Sequence, residues 1–216
     1  MTRSTPPIAA ALVMATALAL TACGGDDNSS KTIPGAQTTP PTPTATTTTA
    51  APTASAQRPT ITLPSDVKDV FEGGQTGDPV KDAVLLDNAE GIKAVDAAIV
   101  AGKATTPDVR FYYEGEGAVT MAEWVQSFLA HKNTTTGTVR YYKRDVTLKG
   151  AGSATLIYCA DESKAFNKSR TTGKIAVTPV TKNSYTVYNS RLEKNKQGVW
   201  QTIKVISQRG AAQCQP

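Results

Sequence analysis

The sequence predicts an α+β domain in which helices come first and a strongly curved antiparallel sheet follows. Two observations carry this. Apolar residues fall at helical spacing up to about residue 130, and from Thr138 onward they alternate with period two. The strand-like runs are consecutive and joined by short links, which favours antiparallel pairing over helix-connected parallel strands.

The helical half opens at Asp78-Pro79, an N-cap acid followed by proline at the first helical position. Val80, Val84, Ile92, Val95 and Ile99 continue near helical spacing, and Gly102 stops the run. Thr106-Pro107 opens a second, short helix carrying Phe111, Tyr112 and Tyr113. Thr120 and Glu123 have the spacing of a capping box, so a third helix is expected to start there, with Met121, Trp124, Val125 and Phe128 on its apolar face. Strands are expected at 138–148, 152–160, 174–180, 184–193 and 198–209. In the last run both faces carry apolar residues, so helices cover one face and the other is partly covered.

The chain has 216 residues and divides by composition. Residues 1–22 read as an export signal: Arg3, then a mostly apolar stretch from Ile8 to Leu20, too short to span a bilayer core of about 20 residues. Leu20 stands where an ordinary signal peptidase needs a small residue. The run Leu20-Thr21-Ala22-Cys23 instead resembles the bacterial lipobox. That resemblance implies cleavage before Cys23, lipid on its thiol and a location on the outer face of the cell membrane. Two acyl chains give stable anchoring where one is marginal. Residues 23–64 are expected to be a disordered tether. Between Lys31 and Thr60, eleven of thirty residues are Thr and six are Pro, and no aromatic residue precedes Phe71. Such a tether reaches roughly 125 Å extended and about 35 Å as a coil, and its Thr/Pro content suits O-glycosylation. Residues 65–216 form the expected domain.

Lipid on Cys23 leaves Cys159 and Cys214, in an oxidising compartment. A disulfide is the expected state. A metal site or a reactive thiol is the alternative, and two Cys with one distant His make a poor ligand set. No metal and no cofactor are therefore expected.

The domain's charge is uneven. Residues 65–116 hold five Lys/Arg against eleven Asp/Glu, and residues 117–216 hold fifteen against five. This fits an acidic helical layer packed on a basic sheet. It also allows an anionic partner, such as a wall polymer or lipid headgroups, at Lys164, Lys168 and Arg170, which read as loop residues. A protein of the envelope is a further partner class, and nucleic acid is not expected.

The helices-then-sheet pattern resembles the nuclear transport factor 2-like cone, also described as SnoaL-like, the fold of limonene epoxide hydrolase and scytalone dehydratase. More narrowly it resembles actinobacterial secreted lipoproteins of that fold. The residues that carry the resemblance are Thr136-Gly137-Thr138-Val139-Arg140-Tyr141-Tyr142, Leu156-Ile157-Tyr158-Cys159, Thr172-Gly173-Lys174, Gly198-Val199-Trp200 and Cys214-Gln215. None is a catalytic motif, so the resemblance implies a fold and a location and little chemistry.

Candidate chemistry is sparse. His131 is the single histidine, and it reads either as a general base at the cone mouth or as a helix-end residue favoured by the helix dipole. The second reading is preferred, because Glu123 lies two turns away and no other carboxylate shares that helix end. Asp145 follows Lys143-Arg144 and reads as a solvated ion pair, and Asp161-Glu162 read as a loop. Tyr141, Tyr142 and Tyr158 are candidates to line a pocket. The sequence contains no P-loop, dinucleotide fingerprint, His-Glu-x-x-His or Gly-x-Ser-x-Gly. The expected role is a non-enzymatic binding or accessory module. An isomerase, dehydratase or hydrolase working in the cone is the alternative.

Overall fold

The computed structural model describes residues 57–216; the expected signal, lipobox and most of the tether lie outside them. The order is β1 (Val67–Phe71), α1 (Pro79–Ala101), α2 (Pro107–Tyr112), α3 (Gly115–Ala130), β2 (Asn133–Leu148), β3 (Ser153–Ser169), β4 (Ile175–Ala176), β5 (Tyr185–Lys194) and β6 (Trp200–Arg209). The class is α+β, as the sequence predicts.

The first two helices begin where their caps require. The Asp78 carboxylate accepts from the Val80 and Lys81 amides, and Pro79 fills the position whose N–H would be unpaired. Gly102 ends α1 in the left-handed conformation (φ 69°). The Thr106 hydroxyl caps α2 by accepting from the Val109 amide. The capping-box reading of Thr120 and Glu123 is wrong. α3 starts six residues earlier, and the Thr120 hydroxyl donates to the Glu116 carbonyl inside the helix. A tertiary contact decides this: the Glu114 amide donates to the Thr202 carbonyl at 3.1 Å, and Gly117 lies so close to β6 that a Cβ would collide with the Thr202 backbone.

The sheet order is β1-β2-β3-β5-β6, with β4 a two-residue addition to β3. Every pair is antiparallel except β1 with β2. That parallel pair was not foreseen, and its cause is the connection. α1 to α3 intervene between β1 and β2, the length of crossover that parallel strands need. β2 and β3 are longer than expected, and they continue through Asp161, Glu162, Lys164 and Lys168, which the sequence placed in loops. Register shifts between Thr138/Arg140 and Tyr142/Asp145 bend the pair. Gly137 (φ 99°) sits at the same bend, against the Lys164 carbonyl, where any Cβ would clash. The bent sheet wraps the helices.

Two buried clusters result. One joins Val84, Leu85 and Ile92 of α1 to Leu156, Leu192 and Trp200 of the sheet; the other joins α1, α2 and α3 around Ile99, Val109, Tyr113 and Val125. Packing starts before the expected boundary at 65. Arg58 pairs with the fully buried Asp87 at 2.6 and 3.0 Å, and Ile61 packs on the second cluster. Asp87 also accepts from the Trp200 amide at 2.9 Å. Three acids of the front half meet bases of the sheet, Glu72 with Arg140, Asp66 with Lys168 and Glu116 with Lys204 at 3.0–3.1 Å, but only Glu116 lies on a helix, and Asp66 and Glu72 flank β1. These exposed pairs contribute little stability each.

Cys159 and Cys214 are bridged, with Cα atoms 5.4 Å apart. Alternation along β3 turns Cys159 to the outer face of the sheet, where it packs with Tyr142, Ala211 and Val187.

Candidate functional site

The inner face of the sheet and helices α1 and α3 do not close on each other. They enclose a cavity of two lobes, about 640 and 450 Å³, that share Asp96, Trp124, Ser127, Tyr141, Tyr188 and Arg209. Each lobe is within the size range of small-molecule sites. The walls follow from period two: Tyr158 and Glu162 of β3, Thr186, Tyr188 and Ser190 of β5, and Val205, Ser207 and Arg209 of β6 all point inward. Trp124 and Phe128 of α3 stand one turn apart, edge to face at 5.3 Å. Tyr158 and Tyr188 stack at 5.1 Å, and Tyr141 meets Tyr158 at 6.1 Å.

Three carboxyl groups define the electrostatics. Glu162 is neutralised by Arg209 at 2.6 Å and accepts from the Tyr188 hydroxyl at 3.3 Å. Asp96 lines both lobes from α1. Burial raises its carboxyl well above the usual range, and the neighbouring charges of Asp69 and Glu162 push the same way. Asp69 of β1 faces Asp96 from behind. Burial pushes it up to about 6, while a hydrogen bond with Asp96 and the Lys93 charge pull it down. Neither Asp69 oxygen receives an N–H or hydroxyl hydrogen bond among the described residues, so nothing there but the neighbouring acid Asp96 and the Lys93 charge offsets its burial. Burial also raises the phenols of Tyr113, Tyr141 and Tyr188 well above their ordinary value and that of Tyr158 to about 12. The cavity is thus a largely aromatic space with one buried acid, Asp96, in its wall and a second, Asp69, beside it.

This pair has a consequence for stability. The folded protein holds a proton on Asp69 up to about pH 6, whereas an unfolded carboxyl loses it near 3.8. Raising the pH through that window removes stability, at most roughly 3 kcal/mol. Urea unfolding from pH 4 to 7 is expected to show this fall, and replacing both acids, Asp69→Asn with Asp96→Asn, is expected to flatten it. An equally steep fall in the variant would show that the pair is not its source.

The sequence-predicted residues are divided. Tyr141 and Tyr158 line the cavity. Tyr142 does not: it faces outward, donates its hydroxyl to the Cys214 carbonyl and lies 4.1 Å beneath the Arg140 guanidinium. His131 lines the rim of the larger lobe, at the C-cap of α3. Its Nδ1 is 2.7 Å from the Ser127 carbonyl of its own helix, which assigns the proton to that nitrogen, and no carboxylate pairs with it among the described residues. Asp145 is exposed and makes no ion pair among the described residues. Its neighbours are committed elsewhere, Lys143 to the Gln213 carbonyl and Arg144 to the Leu85 carbonyl. Of the anticipated basic surface, Lys168 is paired with Asp66, and Arg170 donates to the carbonyls of Ile99, Val100 and Asn133, capping the C-terminus of α1. Lys164 alone of the three is exposed with neither an ion pair nor a side-chain hydrogen bond among the described residues.

Asp96 was missed. From Gly91 to Ala101 only Lys93 and Asp96 are not small or aliphatic, and a single acid within that stretch was the available signal. Glu162 was read into a loop, and Asp69 lies on the unforeseen strand.

Helices on the concave side of a bent sheet, around an open cavity, are the cone architecture. The fold is an α+β cone, with a curved, mostly antiparallel sheet wrapped on helices. No family model and no curated protein matches the chain. Among solved structures, a ketosteroid isomerase-like protein from Erwinia carotovora atroseptica SCRI1043 is similar at 19% identity, over 55% of this chain and 92% of that one, with TM-score 0.33. The intermembrane space region of chloroplast protein ARC6 is similar at 12% identity, over 57% of this chain and 92% of that one, also with TM-score 0.33. These likenesses assign no residue a role.

Proposed function

We propose that the cone is a binding site for a small, largely apolar molecule, held at the outer face of the cell membrane, with Asp96 as the polar group that orients the ligand. The observation that carries this is the unfilled cavity with the Asp96 carboxyl set in an aromatic wall. A cone serving only as a scaffold would be packed with side chains. The test is to release and identify molecules that co-purify with the protein, then measure their return to wild type and to Asp96→Asn. Wild type should retain one compound class, and Asp96→Asn should bind it about tenfold more weakly, the scale of one hydrogen bond to a buried group. An empty cavity that takes up nothing from an envelope lipid extract would end the proposal.

A second reading has its own support. A carboxyl held protonated by burial can give up or take back that proton, and Asp96 lines both lobes, so it is also placed to act as an acid or base on the ligand. Recovery of the ligand chemically changed after incubation favours this enzymatic reading; recovery unchanged favours binding.

The membrane location rests on the lipobox at Cys23. Cys23→Ser is expected to move the protein from the membrane fraction to the medium, or to leave it unprocessed. Processed Cys23→Ser protein that still sediments with membrane would exclude lipid on this residue as the anchor.

A further inference from the structure

The segment after β3 reverses the usual pattern of a soluble edge. It runs antiparallel to β3 at Ile175 and Ala176 and continues without helix or strand to Thr181. Ala176, Thr178 and Pro179 line the larger lobe, while Ile175, Val177 and Val180 point to solvent at 44, 74 and 60% exposure. The whole stretch is exposed, and its β-branched aliphatics stand in water. This costs solubility unless something apolar covers the outer side. The segment is fixed at both ends. Thr181 caps the turn at Lys182–Ser184, and Arg209 donates to the Asn183 carbonyl at 3.0 Å.

The surrounding charge is of one sign. From Ser163 to Leu192 there are six Lys/Arg and no Asp or Glu. Lys174 and Lys182 bracket the aliphatic residues, are exposed, and make no ion pair among the described residues.

We infer that residues 174–182 dock on an anionic bilayer, with Ile175, Val177 and Val180 at the headgroup–acyl boundary and Lys174 and Lys182 on lipid phosphates, so that the cavity opens at the membrane surface. A wall polymer would satisfy the lysines and leave the aliphatic side chains in water. A second copy meeting it through the same segment would set Lys174 and Lys182 against their own kind. A bilayer with negative headgroups answers both features, as shallow interfacial elements with flanking cations do. The inference goes beyond the ligand-binding reading and stands without it.

The experiment compares the full chain reconstituted in vesicles of phosphatidylcholine alone and of phosphatidylcholine mixed with phosphatidylglycerol. Any attachment through the N-terminal segment is common to both. Backbone amide exchange at 175–180 is expected to slow by about tenfold in the anionic vesicles only, and less at high salt. Val177→Asp with Lys174→Glu, both at exposed positions, is expected to abolish the protection with an unchanged melting temperature. Equal protection in neutral vesicles, or protection that survives the double substitution, overturns the inference. So does protection by soluble polyphosphate without vesicles, which would assign the surface to a polymer.

Discussion

Arg58→Ala is expected to destabilise the domain by about 3–5 kcal/mol, although its sequence neighbourhood reads as tether. The Asp87 side chain is fully buried, and its partners are the Arg58 guanidinium and the Trp200 amide. Removing Arg58 leaves a carboxylate in the core with a single N–H donor, and the cost is that of the stranded charge rather than of the lost pair. The melting temperature should fall by roughly 10 °C for a domain of this size. Asp87→Asn in the Arg58→Ala background should recover most of the loss, since an amide oxygen still accepts from Trp200 and carries no charge. If Arg58→Ala melts within a degree or two of wild type, the 57–64 segment does not belong to the domain.

The second large effect is expected from the disulfide. Cys159 and Cys214 close a loop of 55 residues, and the chain-entropy relation gives about 4 kcal/mol for a loop of that length. Replacing both with Ala should lower the melting temperature by roughly 10 °C. Because the bridge lies on the outer face, behind Tyr142 and away from the cavity, ligand uptake at low temperature should be unchanged. Loss of uptake in a folded Cys159→Ala/Cys214→Ala protein would mean that the bridge shapes the cavity. An unchanged melting temperature would mean that other contacts hold the C-terminal tail, among them the Tyr142 hydroxyl on the Cys214 carbonyl and Lys143 on the Gln213 carbonyl.

These two features differ in how visible they are in the chain. The cysteine pair is legible because residue count and compartment suffice. The starts of α1 and α2 are legible because capping is local chemistry: Asp78-Pro79 and Thr106-Pro107 act within one turn. Arg58 is illegible because its partner is 29 residues away and its flanks are tether-like. The false capping box at Thr120 shows the same limit, since the start of α3 is set by Thr202 of β6. The cavity itself could not be read from the sequence. Period two tells which residues share a face, but whether Tyr141, Tyr158 and Tyr188 fill the cone or line it depends on the distance between α3 and the sheet. Asp96 was hidden for a related reason: a helix buried on most sides shows no clean polar face against which one acid stands out.

The parallel pairing of β1 with β2 also sets an order of events. Val67 pairs with Gly137, so this contact closes far more chain than the β2–β3 hairpin does. Local contacts form first, which puts the hairpin early and β1 late. During synthesis β1 emerges before all the strands it will join, and it must wait for α1 to α3 and then for β2. Until it docks, β2 is an open edge, and the β1 of another molecule can compete for it. The folding yield of this protein is therefore a race between a slow intramolecular closure and a concentration-dependent exchange of first strands.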